Sequence, residues 1–312
     1  MPYSRRNFLK IAGASAVGAT MVAPLEAFYA RIAQGQVATG TGFGALEPKL
    51  PLNKNYLVNN PYGDLSSTPL LDLPPGFNYK ILSATGQQMP GGGIIPGDHD
   101  GMAAFPGPRN TTILVRNHEL SPFEAKFGYT EGVAAPSSKR YSTGATGGTT
   151  TLVVGSNREV VKEFGSLSGT IRNCAGGPTP WGSWVSCEET FESTLGGTKR
   201  HGYNFEVPAT AEPAFADPIP LVEMGRFSHE AIAVDPNTGY VYETEDRGDS
   251  CFYRFVPKVG KPTKAGDLAK GGTLYALRVK GRPTLNTTNN PNLPSPGLGG
   301  AIGTVPVGAV LD

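Results

Sequence analysis

The segment at residues 172–189 concentrates residue types that do chemistry. It reads RNCAGGPTPWGSWVSCEE, and it holds both tryptophans, two of the three cysteines and an acidic pair. Its glycines and prolines predict a sharp turn, after which residues 183–187 have the Trp and Val content of a buried strand. The adjacent carboxylates at the end of that strand, Glu188 and Glu189, repel each other unless they are protonated or bridged by a cation. Together with the upstream sulfur of Cys174, they favour a metal site with hard oxygen and soft sulfur ligands.

Three of the four histidines directly precede an acid. The pairs are His99-Asp100, His118-Glu119 and His229-Glu230. Neighbouring side chains of a strand point to opposite faces, so only one member of each pair can point to a common axis. We predict that the acids do so, because carboxylate oxygens suit Ca²⁺ and Fe³⁺, and that the imidazoles orient them. A single pair of this kind is more often a solvated surface pair, and it is the recurrence that favours a site.

Other candidate residues have two interpretations each. The run EDRGD at residues 245–249 is either a further ligand segment or a charged loop. Asp98 and Asp100 fit either a calcium loop or a turn with Asx hydrogen bonds. Three cysteines cannot all pair, so at least one is free, metal-bound or intermolecular. Cys187 with Cys251 is one candidate disulfide, which would leave Cys174 over.

The composition of the chain indicates an all-β fold. Its 42 glycines and 28 prolines exceed a fifth of the 312 residues, and helical periodicity is almost absent after the first 35 residues. Turn signals separate the strand candidates, which are residues 77–82, 111–116, 149–154, 160–164, 183–187, 203–207, 231–234, 240–244 and 251–256. Asp235 to Gly239 is predicted as a tight hairpin turn with a positive φ at the glycine.

An internal repeat predicts the arrangement of these strands. The sequence WVSCEE at residues 184–189, followed by YNFEVP at 203–208, is similar to VYETED at 241–246, followed by YRFVP at 253–257. Repeats of roughly 40 to 50 residues with several antiparallel strands are typical of β-propeller blades. A β-sandwich is the alternative, but it does not explain why acids recur at corresponding strand ends. At ~40 to 45 residues per blade, residues 75–280 give four or five blades, so we expect an incomplete propeller.

The beginning of the chain matches an export signal. Residues 4–10 read SRRNFLK, and a weakly apolar stretch follows at 11–23, as in a twin-arginine signal. This stretch is too short for a stable membrane span, so we expect export by the Tat machinery to the periplasm, the cell surface or the medium. The predicted organisation is a signal at 1–35, a lead-in at 36–72, propeller blades at 73–281 and an irregular Pro/Gly/Asn-rich tail at 282–312. No basic stripe argues for nucleic acid, which leaves a small molecule as the expected partner.

Taken together, these segments resemble the PhoX family of calcium-dependent alkaline phosphatases. The motifs that carry the resemblance are GDHDGM at 97–102, RNHE at 116–119, GTIRNCAGGPTPWGSW at 169–184, CEE at 187–189, GRFSHEA at 225–231 and TEDR at 244–247. The resemblance runs from about Leu73 to Gly281. It implies a β-propeller with ferric and calcium ions on its axis and a cysteine among the ligands. By motif match the ligands would be Cys174, Glu119, Glu189 and Glu230, and further candidates are Asp100, Glu188, Glu245 and Asp246.

The same resemblance implies hydrolysis of phosphomonoesters. Clustered cations neutralise the phosphoryl oxygens and the leaving oxygen as charge builds there. Arg172 and Arg247 are the guanidinium candidates for phosphate contact, although Arg172 could equally brace the turn. Nothing after Gly281 matches the Arg-x-Glu segment that completes the family's site, so we expect the chain to lack the C-terminal part and to be incomplete as a catalyst. Two other functions stay open, namely a non-catalytic calcium-binding propeller module and a propeller hydrolase of esters or lactones with a single Ca²⁺.

Overall fold

The computed structural model describes residues 43–90, 93–121, 133, 135–191, 199–248, 250–278 and 280. These residues form strands, turns and short 3-10 helices, and no α-helix occurs among them. The prediction of an all-β chain is confirmed. The predicted export signal and the irregular tail lie outside the described residues. Within the described part, no helical segment has the length and hydropathy that crossing a bilayer requires.

Thirteen strands are present in the described residues. They are β1 (Glu47–Lys49), β2 (Leu71–Leu73), β3 (His99–Pro106), β4 (Thr112–His118), β5 (Gly147–Val154), β6 (Val160–Thr170), β7 (Asn173–Pro178), β8 (Ser183–Glu188), β9 (Asn204–Pro208), β10 (His229–Val234), β11 (Val241–Glu245), β12 (Phe252–Pro257) and β13 (Gly272–Ala276). The 3-10 helices are Lys54–Leu57, Pro108–Asn110, Ser137–Lys139, Val222–Met224 and Leu268–Lys270.

A small unit consists of the described residues from Phe43 to Tyr56 together with Leu65–Ile81. It contains the antiparallel pair of β1 and β2. The strand predicted at residues 77–82 is absent, and this prediction was wrong. The amide side chain of Asn53 bonds both the N–H and the carbonyl of Ile81, so this backbone is satisfied without a strand partner.

The second unit consists of Leu57–Asp64 and the residues from Leu82 onwards. It holds three antiparallel sheets, whose strands lie in chain order: β3 to β6 (blade 1), β7 to β9 (blade 2) and β10 to β13 (blade 3). This up-and-down order is that of propeller blades, as predicted. The described residues contain three such sheets where we predicted four or five. In the described residues β4 ends at His118 and β5 begins at Gly147, and β9 ends at Pro208 and β10 begins at His229, so the sheets are spaced more widely than the repeat length predicted.

Glycine allows the first strands of the three blades to lie side by side. A Cβ added at Gly101 of β3 would lie 2.8 Å from the carbonyl oxygen of Cys174 on β7. A Cβ added at Gly177 of β7 would lie 2.2 Å from the carbonyl oxygen of Ile232 on β10. Any other residue at these two positions would force the strands apart. The three blades therefore bring their first strands into direct backbone contact.

Two hydrophobic clusters stabilise the second unit. One includes Phe105 and Val115 of blade 1 with Trp184 and Phe205 of blade 2. The other joins blades 2 and 3, and its buried members include Cys174, Val185, Cys187, Met224, Val241 and Phe255. Burial of apolar surface at these contacts stabilises the packing of the blades.

The hairpin between β10 and β11 has the predicted turn. Gly239 has a φ of +77°. Its N–H donates to the carbonyl of Asp235 at 2.8 Å, and the N–H of Asp235 donates to the carbonyl of Tyr240 at 2.9 Å. The predicted disulfide, in contrast, was wrong. Cys187 is buried in blade 2, Cys251 is exposed just before β12, and all three cysteines are free.

Candidate metal centre

The first strand of each blade carries a bulge at the same place. The pairing of this strand with the next one shifts register between His99 and Met102 in blade 1, between Asn173 and Gly176 in blade 2, and between His229 and Ile232 in blade 3. In each bulge, two residues of the first strand lie opposite one residue of the second, which re-aims a side chain. The first residues of the three bulges are therefore equivalent, and they are Asp100, Cys174 and Glu230.

In each blade, the backbone N–H of the residue after the second strand donates to the carbonyl of the residue two positions before the first bulge residue. The N–H of Glu119 donates to the carbonyl of Asp98 at 2.9 Å. In blade 2 the N–H of Glu189 donates to Arg172 at 2.9 Å, and in blade 3 the N–H of Asp246 donates to Ser228 at 3.0 Å. Each blade thus contributes one bulge residue and one strand-end acid, and the strand-end acids are Glu119, Glu189 and Asp246.

Cys174, Glu189 and Glu230 form the most compact group. The sulfur and one oxygen of each carboxylate lie within 4.8 Å of one another. The thiol of Cys174 is 3.7 Å from Oε2 of Glu230. Cys174 is buried, and the two glutamates are partly buried. One cation can be bound by donor atoms at this spacing, and we name these three residues the ligand group.

Arg172 provides positive charge beside the ligand group. Its guanidinium pairs with Oε1 of Glu119 at 2.6 Å and with the carboxylate of Glu189. Its backbone has a φ of +47°, and its N–H donates to the carbonyl of Leu120 at 3.0 Å. Arg172 therefore braces the turn and also bridges two acids.

Crowding of acids raises the pKa of several groups. Burial, a hydrogen bond with Glu189, and the charges of Glu189 and Asp100 raise the pKa of Glu119 to about 8, against the opposing effect of Arg172. Burial, followed by the charges of Glu189 and Asp246, raises the pKa of Glu230. The pKa of the Cys174 thiol is also raised, mainly by burial. A multivalent cation would relieve this repulsion and favour the ionised forms.

Comparison with known proteins shows the family of the chain. The model of the family "Alkaline phosphatase PhoX" matches residues 59–305. The chain belongs to the PhoX alkaline phosphatase family. No curated protein matches the chain. Among solved structures, it is similar to Pseudomonas fluorescens PhoX in complex with vanadate, a transition state analogue, with a TM-score of 0.47 and 20% identity over 70% of this chain. The chain spans 54% of the length of that PhoX chain.

Six of the eight predicted ligands of this PhoX-family chain lie near one another. The charges of Asp246 and Asp100 contribute, after burial and Glu189, to the raised pKa of Glu230 in the ligand group. Asp100 is exposed, and its carboxylate accepts from the N–H of Gly101 at 2.6 Å. The residues that the structure brings together are Asp100, Glu119, Cys174, Glu189, Glu230 and Asp246.

The structure does not bring the other two predicted ligands to this group. Glu188 is fully buried and accepts hydrogen bonds from His201 Nδ1 at 2.7 Å and from the N–H groups of Ile171, Gly202 and Tyr203. Glu245 accepts from the hydroxyl of Tyr253 at 2.8 Å. Both directly precede a strand-end acid, so alternation along the strand points them to the opposite face.

The histidines that directly precede Glu119 and Glu230 are buried, and they contact groups other than these two acids. His118 Nδ1 donates to the carbonyl of Gly97 at 2.7 Å, and its Nε2 lies 2.8 Å from the hydroxyl of Thr150. Burial lowers the pKa of His118 well below its usual range, so this imidazole is neutral. His229 is also buried, with Nδ1 at 3.3 Å from Glu243 Oε2. Nε2 of His229 lies 3.3 Å from the carbonyl of Gly225. The role of these imidazoles in orienting the adjacent acids stays a prediction.

Arg247, the second phosphate candidate, lies at the edge of the site. Its guanidinium is 4.8 Å from the ring centroid of Phe191, two residues after Glu189. Arg226 also lies over this ring, at 5.9 Å. A cation above an aromatic face is attracted by the ring quadrupole, so Phe191 restricts the position of Arg247. Sequence reasoning did not single out Phe191, although its place just after the CEE motif was a usable signal.

A cavity of about 360 Å³ lies elsewhere in this PhoX-family chain. Its lining is mostly apolar and includes Val207, Phe215 and Leu221. None of the six clustered residues lines it. Sequence reasoning also missed Asn117, which lies inside the RNHE motif and contacts the backbone of Cys174.

Proposed function

We propose that this chain carries the metal site of an exported phosphatase that hydrolyses phosphomonoesters. The observation that carries the proposal is the meeting of Cys174, Glu189 and Glu230 within 4.8 Å, although they come from two blades. Family membership supports it, because the matching family is one of alkaline phosphatases. The phosphatase activity is proposed for the whole protein.

The donor set fits iron and calcium. The ligand group offers one sulfur and two carboxylates, a mixture that suits iron better than calcium alone. Glu119, Asp100 and Asp246 offer only oxygen, which is the donor that Ca²⁺ takes in proteins. When bound, such cations would neutralise the oxygens of a phosphoryl group and stabilise the charge on the leaving oxygen.

The two arginines would bind the phosphate. Arg172 lies among the acids, and its planar guanidinium can donate two parallel hydrogen bonds to phosphate oxygens. Once cations neutralise Glu119 and Glu189, Arg172 is no longer needed as their counter-charge. Arg247 would approach from the edge, with its position restricted by Phe191.

Metal analysis combined with activity measurement tests this function. We expect the purified protein to contain iron and calcium and to hydrolyse p-nitrophenyl phosphate, with loss of turnover on chelation. Glu189→Gln should lose metal and activity together. Glu212→Gln is the matched control, because Glu212 is exposed and pairs with Lys162 on the surface.

Other outcomes of this experiment would identify the two alternative functions. Calcium without iron and without turnover would favour a non-catalytic calcium-binding module. Hydrolysis of esters or lactones without phosphatase activity would favour the single-calcium hydrolase. That second alternative gives no role to Cys174, whereas the buried thiol lies within the ligand group.

We further propose that residues 1–35 direct export through the Tat pathway. The supporting feature is the SRRNFLK sequence at residues 4–10. Replacing both arginines by lysine (Arg5→Lys with Arg6→Lys) should retain the protein in the cytoplasm, even though the charge is kept. Arg31→Lys, outside the motif, should leave export unchanged. Cell fractionation measures both results, and export of the double variant would contradict the proposal.

A further inference from the structure

We propose that Asn117 is a positioning residue that sets the bulge carrying Cys174. This inference rests on the proposed metal site. Asn117 lies on β4 of blade 1 and is fully buried. Its side chain reaches across to blade 2, where Nδ2 donates to the carbonyl of Cys174 at 3.0 Å and to the carbonyl of Ala175 at 2.7 Å. One amide group therefore holds both residues of the bulge.

The bulge needs donors from outside its own sheet. Cys174 and Ala175 lie opposite a single residue of β8, so the regular ladder is interrupted at this point. Buried carbonyl groups that lose their ladder partners require another donor. Blade 1 supplies it, because Gly101 leaves room for the backbone of Cys174 to lie against β3.

The side-chain oxygen of Asn117 is also held by two hydrogen bonds. Its Oδ1 accepts from Trp184 Nε1 at 2.9 Å and from the hydroxyl of Ser186 at 2.8 Å. The amide thus makes two donor and two acceptor contacts, which use its full capacity. Ser186 in turn accepts from Asn173 Nδ2 at 2.8 Å, so the chain of hydrogen bonds returns to the residue before Cys174.

The equivalent residues of the other blades behave differently. The position opposite the bulge is Cys187 in blade 2 and Thr244 in blade 3. The hydroxyl of Thr244 accepts from the N–H of Ala231 at 3.1 Å, within the same blade. Asn117, in contrast, spans two blades, at the point where Glu119 and Cys174 come together. We infer that it fixes the direction of the thiol relative to the acids.

Binding of cobalt(II) to the chelator-treated protein tests this role. Co²⁺ gives a thiolate charge-transfer absorption when a cysteine sulfur binds it, so the spectrum reports on Cys174 without any measurement of activity. Substituting a residue that orients a metal ligand typically lowers metal affinity by about 10- to 100-fold. We expect Asn117→Ala and Asn117→Asp to lower Co²⁺ affinity by this factor and to weaken the thiolate band. Asn117→Asp keeps the shape of the side chain but cannot donate to both carbonyls.

Ser166→Ala is the matched control for lost stability. Ser166 is buried on β6, and its hydroxyl lies 2.8 Å from the hydroxyl of Thr149 on β5, which is paired with Asn117 in the sheet. The control therefore removes a buried hydroxyl near Asn117 while leaving the hydrogen bonds of the Asn117 amide in place. Ser166→Ala should bind Co²⁺ like the parent protein. Ser186→Ala removes one donor to Asn117 and should give a smaller loss of Co²⁺ affinity. This variant keeps the role of Asn117 testable if the substitutions of Asn117 itself prevent folding.

The results separate this inference from the proposed metal site. A parent protein without a thiolate band would overturn both. A parent protein with the band, together with Asn117 and Ser186 variants of unchanged affinity, would overturn only the role of Asn117. A loss as large in Ser166→Ala as in the Asn117 variants would also overturn it, because the effect would then reflect stability alone.

Discussion

The guanidinium of Arg172 lies 2.6 Å from Oε1 of Glu119, which connects the turn before β7 of blade 2 to the end of the second strand of blade 1. The same guanidinium pairs with Glu189. A single positive charge thus lies between acids from two blades. Its main effect in the protein without metal is to offset their repulsion.

Removing this charge should make the protein dependent on cations. We predict that Arg172→Gly, which suits the positive φ at this position, lowers the melting temperature in chelator, and that added Ca²⁺ restores it. Arg172→Lys keeps the charge and should behave more like the parent. Thermal unfolding with and without Ca²⁺ measures this. An equal loss in the presence of saturating Ca²⁺ would show that Arg172 acts only as a brace of the turn.

The raised pKa of Glu119 predicts a pH-dependent stability of the metal-free protein. Its pKa is raised from 4.5 to about 8 on folding, so the folded state binds the proton more tightly. The resulting stabilisation is complete below pH 4.5 and is lost as the pH rises through about 8. Glu119→Gln should flatten this decline, and Glu230, whose pKa is also raised, should preserve part of it. Urea unfolding in chelator at several pH values measures the slope, and Glu212→Gln should leave it unchanged.

The three cysteines predict three different results. Cys174→Ser should abolish the absorption of a metal–thiolate bond and the phosphatase activity together. Cys251→Ser should change neither, because this thiol is exposed before β12. Cys187→Ala removes a buried thiol outside the ligand group and should lower stability while retaining the absorption. Retained colour and turnover in Cys174→Ser would eliminate its role as a ligand.

Substitutions of the adjacent residues Glu188 and Glu189 should lower the free energy of unfolding of the metal-free protein by very different amounts. Glu188→Ala leaves His201 and three buried N–H groups without their acceptor, and loss of a partner of this kind costs about 3–5 kcal/mol of unfolding free energy. Glu189→Ala removes a repelling charge and should cost far less. Urea denaturation in chelator compares the two, and similar losses would disprove the distinction between their faces.

Much of the fold follows from local sequence patterns. The turn at residues 235–239 and the strands around residues 112–118, 149–154 and 241–245 were predicted because β-branched residues and turn residues act locally. Five strands were missed, and β3, β7 and β13 are the three of them that lie in the blades. Their sequences, HDGMAAFP, NCAGGP and GTLYA, are rich in Gly and Ala, and pairing with neighbouring strands gives them their structure.

Strand alternation allowed part of the site to be predicted, because it separates the directions of neighbouring side chains. Alternation predicted that the acids, and not the neighbouring histidines, point to a common axis. In the structure Glu119 pairs with Arg172 beside the ligand group, and Glu230 belongs to that group. Alternation could not decide between Glu188 and Glu189, because it fixes only that the two side chains point to opposite faces and not which of them faces the site. The hydrogen bond from Asn117 to Cys174 joins residues 57 positions apart, which no local pattern reveals.

The three equivalent bulges carry an aspartate, a cysteine and a glutamate at the same place in the pairing of the first two strands. The type of side chain at each bulge is therefore independent of the strand pairing, because the pairing is the same while the side chain differs. We expect single substitutions at these three positions to change which ions the protein prefers. The position of the donor is then set by the bulge, and its hardness is set by the residue type, oxygen in Asp100 and Glu230 and sulfur in Cys174.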